Sequence, residues 1–355
     1  MICTESGSML YFGGTAYFAL PSHKGFQRLL AEGMRRYGNN FGGSPNANLR
    51  LKVYQEAQTF WQTYMEAEKA ILVSSGFMAG QLVAWSLRER LRDAPETRIS
   101  YAPFTHPALW SGWESKEHTC FQEWLGKAME SIEREPSQSY ILVCNALDAA
   151  KAQLYDFSPL NALPAQAKLT LVADDSHGIG ITGPEGKGIF PILKKIAEKI
   201  TNLQIIVVAS LAKACGLQAG LILTNSPDWG SQLEKSPFYA GASPCAPAYA
   251  YASMKALPIW EKERKKLLKN IAYFAEKIHS LKLFQFVPNY PVFYTEISGL
   301  YEFLVQNDIV ISAFPYPEET SPLLQRIVIN SAHTFQDMDR LTSCIDFFLK
   351  NIYSS

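Results

Sequence analysis

Two stretches of unbroken apolar residues dominate the middle of the chain, and each ends abruptly in polar chemistry. Leu169-Thr170-Leu171-Val172-Ala173 runs into Asp174-Asp175-Ser176-His177, and Ile205-Ile206-Val207-Val208-Ala209 runs into Ser210-Leu211-Ala212-Lys213. Continuous β-favouring runs of this length mark strands buried on both faces, as in parallel sheets. Shorter runs of the same kind predict strands over 70–74, 98–102, 140–144 and 221–224. Between them the apolar positions recur every three or four residues. Phe26, Leu29, Leu30, Met34 and Tyr37 define a helix over 25–37, and further helices are expected over 49–64, over 77–91 and after His106. Alternation of strand and helix sustained over about 200 residues predicts an α/β fold, with a mostly parallel sheet covered by helices on both faces.

The two ends of the chain differ in texture. The first 25 residues hold Gly13-Gly14, Pro21 and many aromatics, which reads as an irregular arm able to reach a neighbouring subunit. Beyond Pro244 a long polar helix is expected over 246–281, followed by strands near 292–297, 309–313 and 326–330 and a last helix over 334–350. Its run Glu261-Lys262-Glu263-Arg264-Lys265-Lys266 alternates in sign and reads as a solvated face. The expected division is therefore 1–45 for the arm and first helix, 46–245 for a large domain, and 246–355 for a smaller C-terminal α+β domain.

Composition narrows the function. A chain of 355 residues with 47% hydrophobic residues, 19% charged residues and a formal net charge of +0 gives no reason to expect nucleic acid or an anionic membrane surface as a partner. No apolar run approaches the ~18 residues of a membrane span, and Met1-Ile2-Cys3-Thr4-Glu5-Ser6 lacks the basic and apolar regions of a signal peptide, so a cytoplasmic location is expected. The six cysteines form no C-x-x-C pair and have no histidine at ligand spacing, so they read as reduced fillers and no metal is expected.

The strand ends carry the chemistry. In open α/β sheets ligands bind beyond the carboxyl ends of the strands, where an acid (Asp174), an imidazole (His177) and an amine (Lys213) would converge. That trio suits pyridoxal 5′-phosphate: the amine of Lys213 can form a Schiff base, and the carboxylate of Asp174 can keep the pyridine nitrogen protonated. Ser74-Ser75-Gly76-Phe77-Met78 offers a glycine turn into a helix N-terminus, a natural cradle for a phosphate, to which Ser210 would add a hydroxyl. His106, after the strand ending near 102, is placed to stack on the cofactor. Arg326 begins an alternating strand and is suited to a substrate carboxylate. Gly178-Ile179-Gly180-Ile181-Thr182-Gly183 matches a dinucleotide fingerprint literally, but Pro184-Glu185-Gly186-Lys187-Gly188 follows where that fingerprint needs a helix.

The order of Gly76-Phe77, His106, Asp174 with His177, Lys213, and Arg326 seven residues before His333 resembles the α-oxoamine synthase family of fold-type I pyridoxal phosphate enzymes. Asp174-Asp175-Ser176-His177-Gly178 with the glycines that follow is the most specific piece. The resemblance implies a large domain with a mostly parallel sheet, a smaller C-terminal domain, and a homodimer with active sites at the subunit interface. It also implies condensation of an amino acid with an acyl-CoA or other acyl thioester to an α-amino ketone. Lys213 would take the α-proton, Asp174 would meet the ring nitrogen, His177 the phenolic oxygen, and His106 would stack on the ring. Ser75, Gly76, Phe77 and Ser210 would hold phosphate, and Arg326 the amino-acid carboxylate. The chain departs from the family where Thr15 replaces an asparagine beside the substrate carboxylate, where Pro45-Asn46-Ala47-Asn48 replaces a loop of small residues, and where Asn145-Ala146 replaces a Glu and Ser pair. An aminotransferase on the same scaffold is the alternative reaction, and a catalytically inactive cofactor-binding or structural homologue is the alternative outside catalysis.

Overall fold

The computed structural model describes residues 2–4, 7–111, 119–315, 320–321 and 323–353. In chain order the first elements are β1 (Ile2–Thr4), β2 (Gly7–Phe12), α1 (Lys24–Tyr37), α2 (Lys52–Met65), β3 (Lys69–Val73), α3 (Gly76–Asp93), β4 (Arg98–Tyr101), α4 (Phe121–Arg134) and β5 (Ser139–Asn145). A small hairpin of β6 (Leu147–Asp148) and β7 (Gln153–Leu154) precedes β8 (Lys168–Asp174), α5 (Phe190–Ala197), β9 (Leu203–Ser210) and β10 (Gly220–Thr224). Then come α6 (Pro227–Lys235), α7 (Pro237–Gly241), α8 (Pro247–Lys255) and α9 (Leu257–Ile278). The last are β11 (Val292–Thr295), α10 (Leu300–Gln306), β12 (Ile309–Pro315), β13 (Leu323–Val328) and α11 (Phe335–Phe348).

The chain divides into two compact units. One holds Pro21–Leu147 and Tyr155–Ile259; the other holds Met1–Leu20, Asp148–Leu154 and Trp260–Ser355. The first is built on a sheet of order β3-β10-β9-β8-β5-β4. Strands β4, β5, β8 and β9 are parallel neighbours, while β10 runs antiparallel between β9 and β3. Two reversals through β10 bring β3 back to the direction of β9, so five strands end on one edge. Val172, Val208, Ile222 and Ile141 fill the sheet core against Leu82, Val83 and Leu87 of α3, all at most 2% exposed. Each fully buried aliphatic side chain of this kind contributes about 1.5–3 kcal/mol. In α2 the buried Val53, Ala57, Trp61 and Met65 follow one another at i, i+4, the single-stripe pattern of a helix laid on a core.

The second unit carries a sheet of order β1-β2-β12-β13-β11. Here the structure corrects the reading of the first 25 residues as an irregular arm. Leu10, Tyr11 and Phe12 pair in parallel with Ile309, Val310 and Ile311 of β12, and Phe12 is completely buried. The strand is short, ends at Gly13-Gly14 and acquires its partner from almost 300 residues away, so no local alternation marks it. A second correction concerns the helix expected over 246–281, which is two helices broken at Ala256. Pro258 explains the break: it has no N–H to donate, and its ring would strike the carbonyl of Met254 in a continuous helix. The charge run of α9 faces water as expected except at Glu263, which is 3% exposed and bound to Lys266 at 2.6 Å. Among the described residues no helix is long and apolar enough to cross a membrane.

Candidate active site

The common edge of the first sheet collects the polar ends of its strands. β3 leads through Ser74-Ser75 into α3, β4 into the turn bearing His106, β5 ends at Asn145, β8 at Asp174 and β9 at Ser210. Lys213 lies in the 211–219 connection between β9 and β10, which closes on itself through Leu211 N–H to Ala219 O (3.0 Å) and Leu217 N–H to Leu211 O (2.9 Å). The lysine is half-buried there.

Asp174 is 8% exposed, and its Oδ1 accepts the Ser176 N–H at 2.8 Å. Its Oδ2 lies 3.8 Å from Nδ1 of His106, whose side chain is half exposed. Partial burial, helped by the Lys213 ammonium and opposed by the Asp174 carboxylate, holds the His106 pKa below its ordinary 6.5. Nδ1 also accepts the Ala108 N–H at 3.1 Å, which assigns the ring proton to Nε2. The ring is therefore neutral at pH 7, with Asp174 and Lys213 as its nearest charges. His177 is half-buried on the turn after β8.

Ser75 caps α3 by accepting the Met78 N–H at 3.1 Å, which leaves the Gly76 and Phe77 amides at the helix mouth without intrahelical acceptors. Gly76 is pressed against the end of β9. A Cβ there would lie 2.4 Å from Ser210 Cβ and 2.6 Å from its Cα. The backbone of Ser210 is fixed in turn, its N–H donating to Ser176 Oγ at 2.8 Å. We expect Gly76→Ala to destabilise the fold by about 1–3 kcal/mol in denaturant unfolding, as overpacking against backbone does. Gly126→Ala, in a helix with nothing within 4 Å of the new atom, should leave stability unchanged or raise it.

Asp175, beside Asp174, has a different task. It is fully buried, Oδ2 accepts the Ile189 N–H at 2.8 Å, and burial pushes its pKa up to about 8. Its two oxygens occupy the space where Gly178 and Gly188 would carry side chains, each 1.9 Å from the ideal Cβ position. The glycine run is thus a turn wrapped around a buried carboxyl, and the helix that a dinucleotide fingerprint requires starts only at Phe190.

Thr15 and Arg326 belong to the other unit and are described within it. Thr15 O accepts the Tyr17 N–H at 2.9 Å. Arg326 Nη1 donates to Ala149 O at 2.9 Å and its guanidinium lies 5.0 Å from the Phe314 ring centroid, while Nε is buried without a partner. His333 pins β2: Nδ1 accepts the Asn330 N–H at 3.1 Å, and Nε2 meets Tyr11 O at 2.8 Å. Burial pushes its pKa from 6.5 down to about 4. Between those values the unfolded chain takes up a proton that the folded chain refuses, so stability falls as pH drops through that window. His333→Gln should flatten this part of the stability curve, measured by urea unfolding at pH steps.

Comparison with known proteins bears on what the edge holds. No family model matches the chain. It is 22% identical to an 8-amino-7-oxononanoate synthase of Nitrosomonas eutropha, over 97% of this chain and 90% of the relative. It is 24% identical to the 8-amino-7-oxononanoate synthase of Vibrio atlanticus, over 97% and 85%. Among solved structures, a serine palmitoyltransferase from S. paucimobilis with bound pyridoxal phosphate superposes with a TM-score of 0.77 at 14% identity, covering 95% of this chain and 86% of that one. The 8-amino-7-oxononanoate synthase of Francisella tularensis superposes with a TM-score of 0.73 at 18% identity, covering 98% and 99%. End-to-end similarity to such relatives, on a sheet edge that gathers lysine, aspartate and histidine beside an open helix mouth, places this chain in the α-oxoamine synthase family of fold-type I pyridoxal phosphate enzymes.

Proposed function

We propose that this chain is a pyridoxal phosphate-dependent C-acyltransferase. It would join the α-carbon of an amino acid to the acyl carbon of a thioester, breaking the C–S bond, releasing the thiol and losing CO2. The observation that carries the reading is the fit of the strand-end edge to the cofactor. The mouth of α3, closed by the glycine–Ser210 contact, offers two open amides and a hydroxyl to a phosphate. A nearly buried carboxylate stands 3.8 Å from a neutral imidazole, as a protonated ring nitrogen beneath a stacked ring requires. When bound, the cofactor supplies an electron sink for a carbanion at the substrate's α-carbon.

The residues then divide the work. Lys213 holds the cofactor through its amine and, once displaced by the substrate amine, moves the α-proton. Asp174 holds the proton on the ring nitrogen, His106 covers the ring, and His177 faces the phenolic oxygen. The Gly76 and Phe77 amides and the Ser210 hydroxyl hold the phosphate, with Ser75 fixing the helix start. Arg326 and Thr15 orient the amino-acid carboxylate. Arg326 has one nitrogen committed to Ala149 O, so it would meet the carboxylate with the others. A homodimer and a cytoplasmic location belong to the same proposal.

The direct test is chemical. Borohydride treatment of the protein loaded with pyridoxal phosphate should fix the cofactor to one peptide, with the added mass on Lys213. Mass on a different lysine, or on none, would contradict the assignment.

A further inference from the structure

The 104–106 turn aims the His106 ring at the sheet edge, and a side chain outside the expected set holds it. Phe104 has φ of +59°, a left-handed conformation that a residue with a side chain keeps only where its surroundings enforce it. Asn145 supplies that hold. Its Nδ2 donates to the Phe104 carbonyl at 2.7 Å and its Oδ1 accepts the His106 N–H at 3.0 Å, so one carboxamide bridges both ends of the turn. β5 and β8 run in parallel register with Asn145 beside Asp174. A neutral side chain thus ties the turn bearing the imidazole to the strand next to the one bearing the carboxylate. A carboxylate at this position would lack the donor that the Phe104 carbonyl needs and would add a second negative charge beside Asp174.

We propose that Asn145 is a positioning residue, whose carboxamide sets the His106 ring against the Asp174 carboxylate and so shapes the surface that receives the cofactor ring. This rests on the reading that His106 covers that ring.

The test is a double-mutant cycle between Asn145→Ala and His106→Ala, read as the dissociation constant for pyridoxal phosphate in an absorbance titration. Asn145→Ala alone should weaken binding about tenfold, the effect of losing the hydrogen bonds that hold the turn. With His106 already removed, the same change should alter binding by less than about twofold. Equal losses in the two backgrounds would overturn the proposal.

Asn145→Asp provides a second variant of the same shape should the alanine variant fail to fold. In cofactor-free protein the His106 titration, followed by NMR and assigned with His106→Gln, should move upward in Asn145→Asp. A second carboxylate then joins Asp174 and Lys213, the charges that already act on the ring. An unmoved titration would equally overturn the proposal. Failure of the underlying reading looks different: the unmutated protein would bind no pyridoxal phosphate, while the NMR titration would still report on the clamp.

Discussion

Lys213→Ala is expected to remove turnover altogether while leaving the fold intact. The side chain sits in the 211–219 connection, whose closure depends on backbone hydrogen bonds of Leu211, Leu217 and Ala219. Truncation beyond Cβ therefore leaves the loop's own bonds in place. What disappears is the amine that holds the cofactor and moves the α-proton, and positioned proton transfer alone is worth about 10²–10⁴-fold in rate. Absorbance near ~420 nm, the band of a lysine-held cofactor, should be present in the unmutated protein and missing in the variant, while circular dichroism and unfolding midpoint stay unchanged. The loss of Lys213 also removes a charge that disfavours protonation of His106, so the His106 titration should move up.

Asp174→Asn is expected to be the second most damaging change, lowering kcat by about 10²–10³-fold, the scale on which single preorganised electrostatic groups act. The two side chains have nearly the same shape. Asparagine Oδ1 can still accept the Ser176 N–H, so the turn after β8 keeps its anchor. The charge is lost, and with it the partner of a protonated ring nitrogen. A purely structural role would make this a mild substitution. Steady-state kinetics beside an unfolding curve separates the two roles: a large fall in kcat with an unchanged midpoint is the expected pattern. His106 should titrate lower in this variant, because Asp174 is the neighbour that favours its protonation.

Much of the site's scaffold was legible in the sequence for one reason. Strands buried on both faces read as uninterrupted apolar runs, and the first polar residue after such a run marks the carboxyl edge of the sheet. Asp174, Ser210 and Lys213 announce themselves in this way, and Ser75-Gly76 does so through a cap followed by helical periodicity. Features that depend on distant partners were not legible. β2 becomes a strand only by pairing with β12, and Arg326 reveals its bond to Ala149 only once β13 is folded. Asn145 was visible as a departure from the family pattern, but its grip on Phe104 and His106 spans about 40 residues and has no local signature. Asp175 looked like a twin of Asp174, yet the pleat sends it to the other side, into the glycine turn. The break before α9 was the one missed feature with a local signal, since Pro258 stands within the helical pattern.

The central claim is acyl transfer to an amino acid, and the most direct measurement follows both leaving groups at once. The protein, loaded with pyridoxal phosphate, is given carboxyl-labelled alanine, glycine or serine with and without an acyl-CoA, and released CO2 and free thiol are counted. The account predicts CO2 from one of these amino acids only when the thioester is present, in equal amount to the thiol, and none from Lys213→Ala. Conversion of the cofactor to its amine form by an amino acid alone, with neither CO2 nor thiol released, would contradict it and point to amino transfer on the same fold.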